Sequence, residues 1–219
     1  MFTYPTWVGF DLDGTLVSTA EDIAYALNTT LNHYYLPDIE LALVKTWIGN
    51  GTTKLTERAL DFHNNTNIDR AEATRLLETI YDDCVTRSSS LFSNAKATLQ
   101  SLHQQRIKLA LVTNKNTSHT HKLLEHLEIK AMFDTIVCAD TLKKKKPDPL
   151  PLYTSVNNMN CEVQDGFYVG DSINDVTTAR NAGCKVVTVD YGYNHGNPIS
   201  QSEPDAIISD LSEVLALFN

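Results

Sequence analysis

The sequence predicts an α/β fold: a Rossmann-like parallel sheet core with a small all-helical domain inserted after the first strand. Three observations carry that expectation. From Asn94 onward, short apolar runs alternate with stretches of helical periodicity, the pattern of a parallel sheet with right-handed crossovers and helices on both faces. Between residues 17 and 86 only helical patterning is legible. Finally, three apolar runs each end on polar or charged residues: Phe10-Asp11-Leu12-Asp13, Val112-Thr113-Asn114-Lys115 and Val169-Gly170-Asp171. In an open parallel sheet such strand ends gather along one edge, where ligands bind.

Taken in order, Trp7 to Phe10 reads as a buried strand running straight into Asp11. Ile23, Ala26, Leu27 and Leu31 then recur at three- and four-residue spacing, which marks an amphipathic helix. Ser18-Thr19-Ala20-Glu21 has the S-x-x-E form of a capping box that would start it. Two further helices are expected around 52–62 and 71–85, the latter with Leu76, Leu77, Ile80, Tyr81 and Cys84 on one apolar face. Beyond the insert come a helix at 95–105, a strand at 107–112, a helix at 117–127 and a short strand at 135–138. A helix at 150–158, a strand at 166–169 and a helix at 173–182, capped by Gly183, follow. Strands at 185–189 and 206–208 and a helix at 211–218 close the chain. The expected domains are a core of residues 1–16 and 87–219 and a helical insert of 17–86.

With 219 residues, 42% hydrophobic and 21% charged, the composition is that of a soluble globular protein. No apolar run approaches the roughly 18 residues of a membrane span. The N-terminus lacks the basic and apolar regions of a secretory leader. Four scattered cysteines without a C-x-x-C pair fit reduced, mostly buried thiols in the cytoplasm. A net charge of -9 argues against nucleic acid or an anionic membrane as partner. It also means that an anionic substrate needs a bound cation and placed lysines. The seven histidines form no H-E-x-x-H pattern, and solvated helix faces are their expected home.

Asp11 and Asp13, two residues apart past a strand, point the same way if the segment is extended. Two carboxylates that close need a cation or a shared proton. An ionised Asp11 can attack phosphorus, and a protonated Asp13 can hand its proton to the leaving oxygen and later take one from water. Gly14 lets the chain turn past the site. A D-x-D-G read alone fits a solvent-exposed turn equally well. Asp171 and Asp175 share a helix face at i and i+4, although Asp171 alone would also suit a helix N-cap. With Asp11 and Asp13 they make a magnesium site of hard oxygen ligands. Asp11 and Asp171 are the direct ligands in this reading, Asp13 contributes its backbone carbonyl, and Asp175 orients ligands or a lysine.

Thr113 and Asn114 supply hydroxyl and N–H donors for a phosphoryl group, a weak signal in isolation. In the run Lys143-Lys144-Lys145-Lys146-Pro147-Asp148-Pro149, the first three lysines read as solvated. Pro147 restricts Lys146 to extended backbone and Pro149 suits a first helical turn, which aims one ammonium at Asp11 and the phosphate. A cis bond before Pro147 is compatible with this segment.

Together these residues resemble the haloacid dehalogenase superfamily, matching its four motifs in order: Asp11-x-Asp13-Gly14-Thr15, Thr113, Lys146 and Gly170-Asp171-x-x-x-Asp175. The resemblance implies a Rossmann-like core, Mg²⁺ dependence and Asp11 as nucleophile, and Asp at position 13 points to phosphatases or phosphomutases. Thr46-Trp47-Ile48-Gly49-Asn50-Gly51, Leu55-Thr56-Glu57-Arg58-Ala59-Leu60 and Tyr191-Gly192-Tyr193-Asn194 are similar to bacterial phosphoglycolate phosphatases. In that family a helical cap sits over the core site, which makes Gly49, Asn50 and Gly51 its substrate-specificity loop. Arg58 would serve as a carboxylate partner or form an intra-cap salt bridge. One departure stands out: an Asp-Ser pair is usual at the cap hinge, and this chain has Ser18-Thr19. The expected activity is a Mg²⁺-dependent phosphatase on a small phosphorylated metabolite, 2-phosphoglycolate first, with a sugar phosphomutase or a phosphatase for another small metabolite as the alternative.

Overall fold

The computed structural model describes residues 2–218. Six parallel strands form the central sheet in the order β5-β4-β1-β6-β7-β8. They are β1 (Trp7–Phe10), β4 (Lys108–Val112), β5 (Thr135–Val137), β6 (Gly166–Gly170), β7 (Lys185–Val189) and β8 (Ala206–Ile208). β1 lies at the centre, in register with β4 on one side and β6 on the other, so that Phe10 pairs with Leu111 and with Val169. Asp11, Thr113 and Asp171 are thereby delivered to one edge of the sheet. Every residue of β1 and β6 is buried, as expected of strands covered on both faces.

Helices α5 (Ala95–Gln104), α6 (Thr117–His126), α7 (Leu150–Asn158) and α8 (Ile173–Ala182) connect the strands. α8 ends at Gly183 in the left-handed conformation, as its place after the last periodic residue predicts. No helix among the described residues is long and apolar enough to cross a membrane.

Four helices fill the chain after β1: α1 (Ala20–His33), α2 (Leu41–Trp47), α3 (Thr52–Phe62) and α4 (Arg70–Cys84). α1 packs on α4 and α2, and α3 on α4. The stretch is not strand-free, because β2 (Val17–Ser18) pairs antiparallel with β3 (Ser90–Leu91) and joins the insert to the core. Two-residue strands carry no periodicity, so nothing in the pattern marks them. α2 also escapes the sequence reading: of its seven residues only Val44 is fully buried, too few apolar contacts to write a helical repeat.

The capping box expected at Ser18 does not form. Ser18 is committed to the strand pair, Thr19 is the N-cap, and neither side chain caps the helix. The Tyr193 hydroxyl takes over, accepting from the Thr19 and Ala20 N–H groups at 3.2 and 3.3 Å. Buried Asp22 ties α1 to the returning chain by accepting from Ser88 N–H, Ser89 N–H and Ser89 Oγ–H. The expected closing helix at 211–218 is instead a 3₁₀ segment, Leu211–Ala216. It buries only Leu211 and Val214, three residues apart, which a helix of three residues per turn satisfies.

Candidate active site

At the sheet edge, Lys146 Nζ stands 2.8 Å from Asp11 Oδ1 and 2.7 Å from Asp175 Oδ1. The Tyr168 hydroxyl accepts from it at 3.0 Å and in turn donates to the Val112 carbonyl at 2.6 Å. The Lys146-Pro147 bond is cis. Burial works against the Lys146 ammonium, but Asp11 and Asp175 beside it outweigh that and hold its pKa well above the usual lysine range. Burial likewise lifts Asp11 to about 7, Lys146 opposing and Asp175 reinforcing the rise. Asp171 is held well above the ordinary carboxylate range by burial and then by Asp175 and Asp11.

Asp171 accepts from Thr15 Oγ1 at 3.0 Å and from the Tyr193 N–H. Gly14 is required beside it. Its φ is +87°, and a Cβ there would lie 2.3 Å from Asp171 Oδ2. The N-cap of α8 is Ser172, not Asp171, and its capping-box partner is Asp175. One Asp175 oxygen faces Lys146 while the other accepts from Asp171 N–H, Ser172 N–H and Ser172 Oγ–H. Both oxygens are therefore occupied in holding the site together.

Asp11, Asp171 and Asp175 each offer an oxygen within 4.8 Å of the others, all three residues being buried. Three such carboxylates against one ammonium leave an excess of buried negative charge. With Asp175 committed to Lys146 and the start of α8, the hard oxygens that fit a divalent cation are those of Asp11 and Asp171.

Asp13 lies across the cleft with both oxygens on Lys115 Nζ, at 2.9 and 3.2 Å. Lys115 also donates to the Tyr81 hydroxyl, so α4 of the insert touches the core at this point. Buried Thr113 turns its hydroxyl toward the site and accepts from Lys115 N–H at 3.2 Å. Asn114 uses its side-chain amide elsewhere: Nδ2 donates to the Gly49 carbonyl at 2.9 Å and the Lys146 carbonyl at 3.0 Å. It fastens the insert loop to the lysine segment.

In the loop, Gly49 and Gly51 adopt φ of +107° and +86°. The Asn50 side chain faces Arg58, which donates to Asn50 Oδ1 at 2.9 Å and to the Trp47 carbonyl at 2.7 Å. Arg58 braces the loop, and the expected intra-cap salt bridge does not form among the described residues. Lys145 is not merely solvated, since its ammonium donates to the Asn50 carbonyl at 2.9 Å. His195 spans insert and core, with Nδ1 3.1 Å from the Thr46 carbonyl and Nε2 3.4 Å from Asn174 Nδ2.

Asp11, Asp13, Thr113, Asn114, Gly49 and Gly51 all line one cleft, with Ile23, Ile48, Leu55, Leu77, Tyr81, Lys115 and His119. Lys146 is outside this lining, paired with Asp11 and with Asp175, and Asp171 lines a second cleft with Thr46, Tyr193 and Asn194. Asn50 is turned to Arg58 and is absent from the lining. Lys115, Tyr81 and His119 are the site residues that sequence reasoning missed. Lys115 was in view as the last member of T-N-K, but nothing local says that its ammonium meets Asp13. His119 sits buried, 4.8 Å from the Tyr81 ring, rather than on a solvated face.

The model of the haloacid dehalogenase-like hydrolases matches residues 8–189 of this chain. A phosphoglycolate phosphatase of Yersinia pestis is 39% identical over 212 residues, which cover 95% of this chain and 90% of that protein. One from Haemophilus influenzae (strain 86-028NP) is 37% identical over 216 residues, 96% of each. The crystal structure of a predicted phosphoglycolate phosphatase from Haemophilus somnus 129pt shares the fold with a TM-score of 0.94, at 36% identity and 99% coverage of both chains. With these likenesses added to the four motifs at one sheet edge, the chain belongs to the haloacid dehalogenase-like hydrolases and, among them, to the phosphoglycolate phosphatase family of phosphoric monoester hydrolases.

Proposed function

We propose that this protein hydrolyses 2-phosphoglycolate to glycolate and phosphate, with Mg²⁺ and through an aspartyl-phosphate on Asp11. The observation that carries the reading is the buried cluster in which Lys146 bridges Asp11 and Asp175 beside Asp171. The substrate follows the names of the most similar relatives.

Asp11 attacks phosphorus in line and the ester oxygen departs as Asp13, which enters the step protonated on one oxygen while the other accepts from Lys115, delivers its proton to it. Asp13 then takes a proton from a water that attacks the acyl-phosphate, which releases phosphate and restores the Asp11 carboxylate. Lys146 and the Thr113 hydroxyl, with Asn114 beside it, hold the phosphoryl oxygens, while Asp175 fixes Lys146. Mg²⁺ held by Asp11, Asp171 and the Asp13 carbonyl would neutralise charge on the transferred group. Residues 17–86 act as a cap that opens for substrate and closes over it, excluding water, with Gly49, Asn50 and Gly51 as the loop facing the small anion. Four cysteines free of disulfides support a reducing, cytoplasmic location.

Free phosphate release is the direct test, with 2-phosphoglycolate and hexose phosphates compared in the presence and absence of Mg²⁺. Phosphate release from 2-phosphoglycolate that needs Mg²⁺ is expected. Isomer formation from a hexose phosphate, or strong preference for a phosphosugar, would overturn the assignment.

Metal binding has a second readout. Folded Asp11 gains a proton near pH 7, whereas an unfolded aspartate does so near 3.8. The native state therefore holds more protons between those values, and the ion-free protein loses stability as pH rises through this window. A cation competes with that proton for the carboxylate. Mg²⁺ is expected to raise Tm more at about pH 8 than at about pH 5.5 in thermal melts. Equal rises at both would place the ion away from Asp11.

A further inference from the structure

We infer that Lys115 and Tyr81 form the subsite that binds the anionic group on the leaving alcohol, and so set the preference for carboxylated over uncharged alcohols in the phosphate ester. The inference rests on the phosphatase reading above and adds what selects the substrate.

Charge in the cleft points to this pair first. Among the described residues that line the cleft, Lys115 is the one lysine or arginine, since Lys146 is enclosed by Asp11, Asp175 and Tyr168. The Lys115 side chain is only 4% exposed. The other ammonium near the cleft, that of Lys145, donates to the Asn50 carbonyl and stands 3.3 Å from where a Gly51 Cβ would lie, on the insert loop rather than beside Asp13.

Hydrogen bonding narrows it further. The Tyr81 hydroxyl accepts from Lys115, and no described residue accepts the Tyr81 hydrogen. A buried hydroxyl with an unused donor beside an ammonium is a ready pair for a carboxylate oxygen. Burial and then Asp13 hold the Tyr81 hydroxyl well above its usual pKa, so it keeps that hydrogen. The His119 ring packs edge-on against Tyr81 and fixes its direction.

Distance sets the length of the alcohol. Lys115 Nζ is 2.9 Å from Asp13 Oδ1, and Asp13 must reach the leaving oxygen within a hydrogen bond. The ammonium thus lies within about 6 Å, two hydrogen-bond lengths, of that oxygen. A carboxylate one carbon away from the ester oxygen spans this gap. Elsewhere the cleft wall includes Ile23, Ile48, Leu55 and Leu77, against which a charged group would be desolvated without a partner.

The subsite also joins the two parts of the molecule, because Tyr81 belongs to α4 of the insert and Lys115 follows β4 of the core. An anion held by both favours the closed arrangement only when it carries the right group.

The test compares kcat/KM for two carboxylated esters, 2-phosphoglycolate and phospholactate, with that for ethyl phosphate, in the wild type, Tyr81→Phe and Lys115→Met. Tyr81→Phe keeps the ring, the core and the Lys115–Asp13 pair. A hydrogen bond to a charged group is worth on the order of 10-fold or more in transition-state binding. Both variants are therefore expected to lose about 10-fold or more on the carboxylated esters relative to their loss on ethyl phosphate. Equal losses on all three esters would overturn the inference and leave Lys115 as a positioning residue for Asp13. If phospholactate is preferred over 2-phosphoglycolate and both variants still lose selectively on carboxylates, the subsite stands and the proposed substrate falls. A wild type that turns over ethyl phosphate as well as either carboxylate, or that cleaves none of the three, overturns both.

Discussion

Asp11→Asn is expected to reduce phosphate release by about 10⁴-fold or more, the scale of losing a nucleophile whose role no neighbour can assume. The amide is nearly the same size as the carboxylate, so the fold should persist. Its effect on stability runs the other way, because it removes a buried carboxylate that burial, then Asp175 and Asp13, raise to about 7 against the pull of Lys146. The ion-free variant should melt no lower than the wild type, and it should lose most of the Mg²⁺-induced rise in Tm. Phosphate release assayed beside thermal melts separates the two effects. Turnover retained within about tenfold would sink the nucleophile assignment, since an amide cannot form the acyl-phosphate.

Lys146→Met should be the most damaging change to the molecule as a whole. Its ammonium is the common partner of Asp11 and Asp175 and sits fully inside the core. Removing one member of a buried ion pair costs about 3–5 kcal/mol. In a domain of this size that is a fall in Tm of about 6–20 °C. Turnover should drop by about 10²- to 10³-fold beyond any loss of folded protein, the scale for one preorganised charge at a developing anion. Lys146→Arg keeps the charge but not the fit, because the planar guanidinium must occupy a pocket shaped around Asp11, Asp175 and the Tyr168 hydroxyl. It should recover stability better than activity. A Lys146→Met protein that melts like the wild type would show that the buried acids are neutral without the lysine.

These effects depend on how the chain places charges, and part of that placement was legible before any coordinates. β7, β8, α7 and α8 occupy the spans expected from apolar periodicity and from the Pro149 and Gly183 signals. The reason is that these are local decisions: a parallel strand buried on both faces needs an unbroken apolar run, and a helix end needs a residue that tolerates the terminal geometry. Asp11, Thr113 and Asp171 were readable as residues of one sheet edge on the same basis, since each follows such a run and the sheet's topology collects strand ends.

Other elements were settled against local preference. Ser18-x-x-Glu21 has a capping sequence, yet Ser18 is taken by β2 and the Tyr193 hydroxyl, some 174 residues away, meets the helix start instead. Arg58 reads as a charge in search of an anion, but from α3 it donates to the Trp47 carbonyl at the end of α2 and to Asn50 Oδ1 in the loop between the two helices. Lys115 and Tyr81 are 34 residues apart in the chain, yet their side chains are hydrogen-bonded.

Sequence alone determined the sheet and the edge to which its strand ends deliver Asp11, Thr113 and Asp171, because each depends on short-range patterning and on topology rules that hold for any parallel α/β chain. Only the tertiary structure decided which charges meet. A carboxylate's partner is chosen by proximity in a medium of low polarity, where a few ångströms outweigh any spacing along the chain, and no local pattern encodes that Asp13 faces Lys115 while Lys146 turns to Asp11 and Asp175.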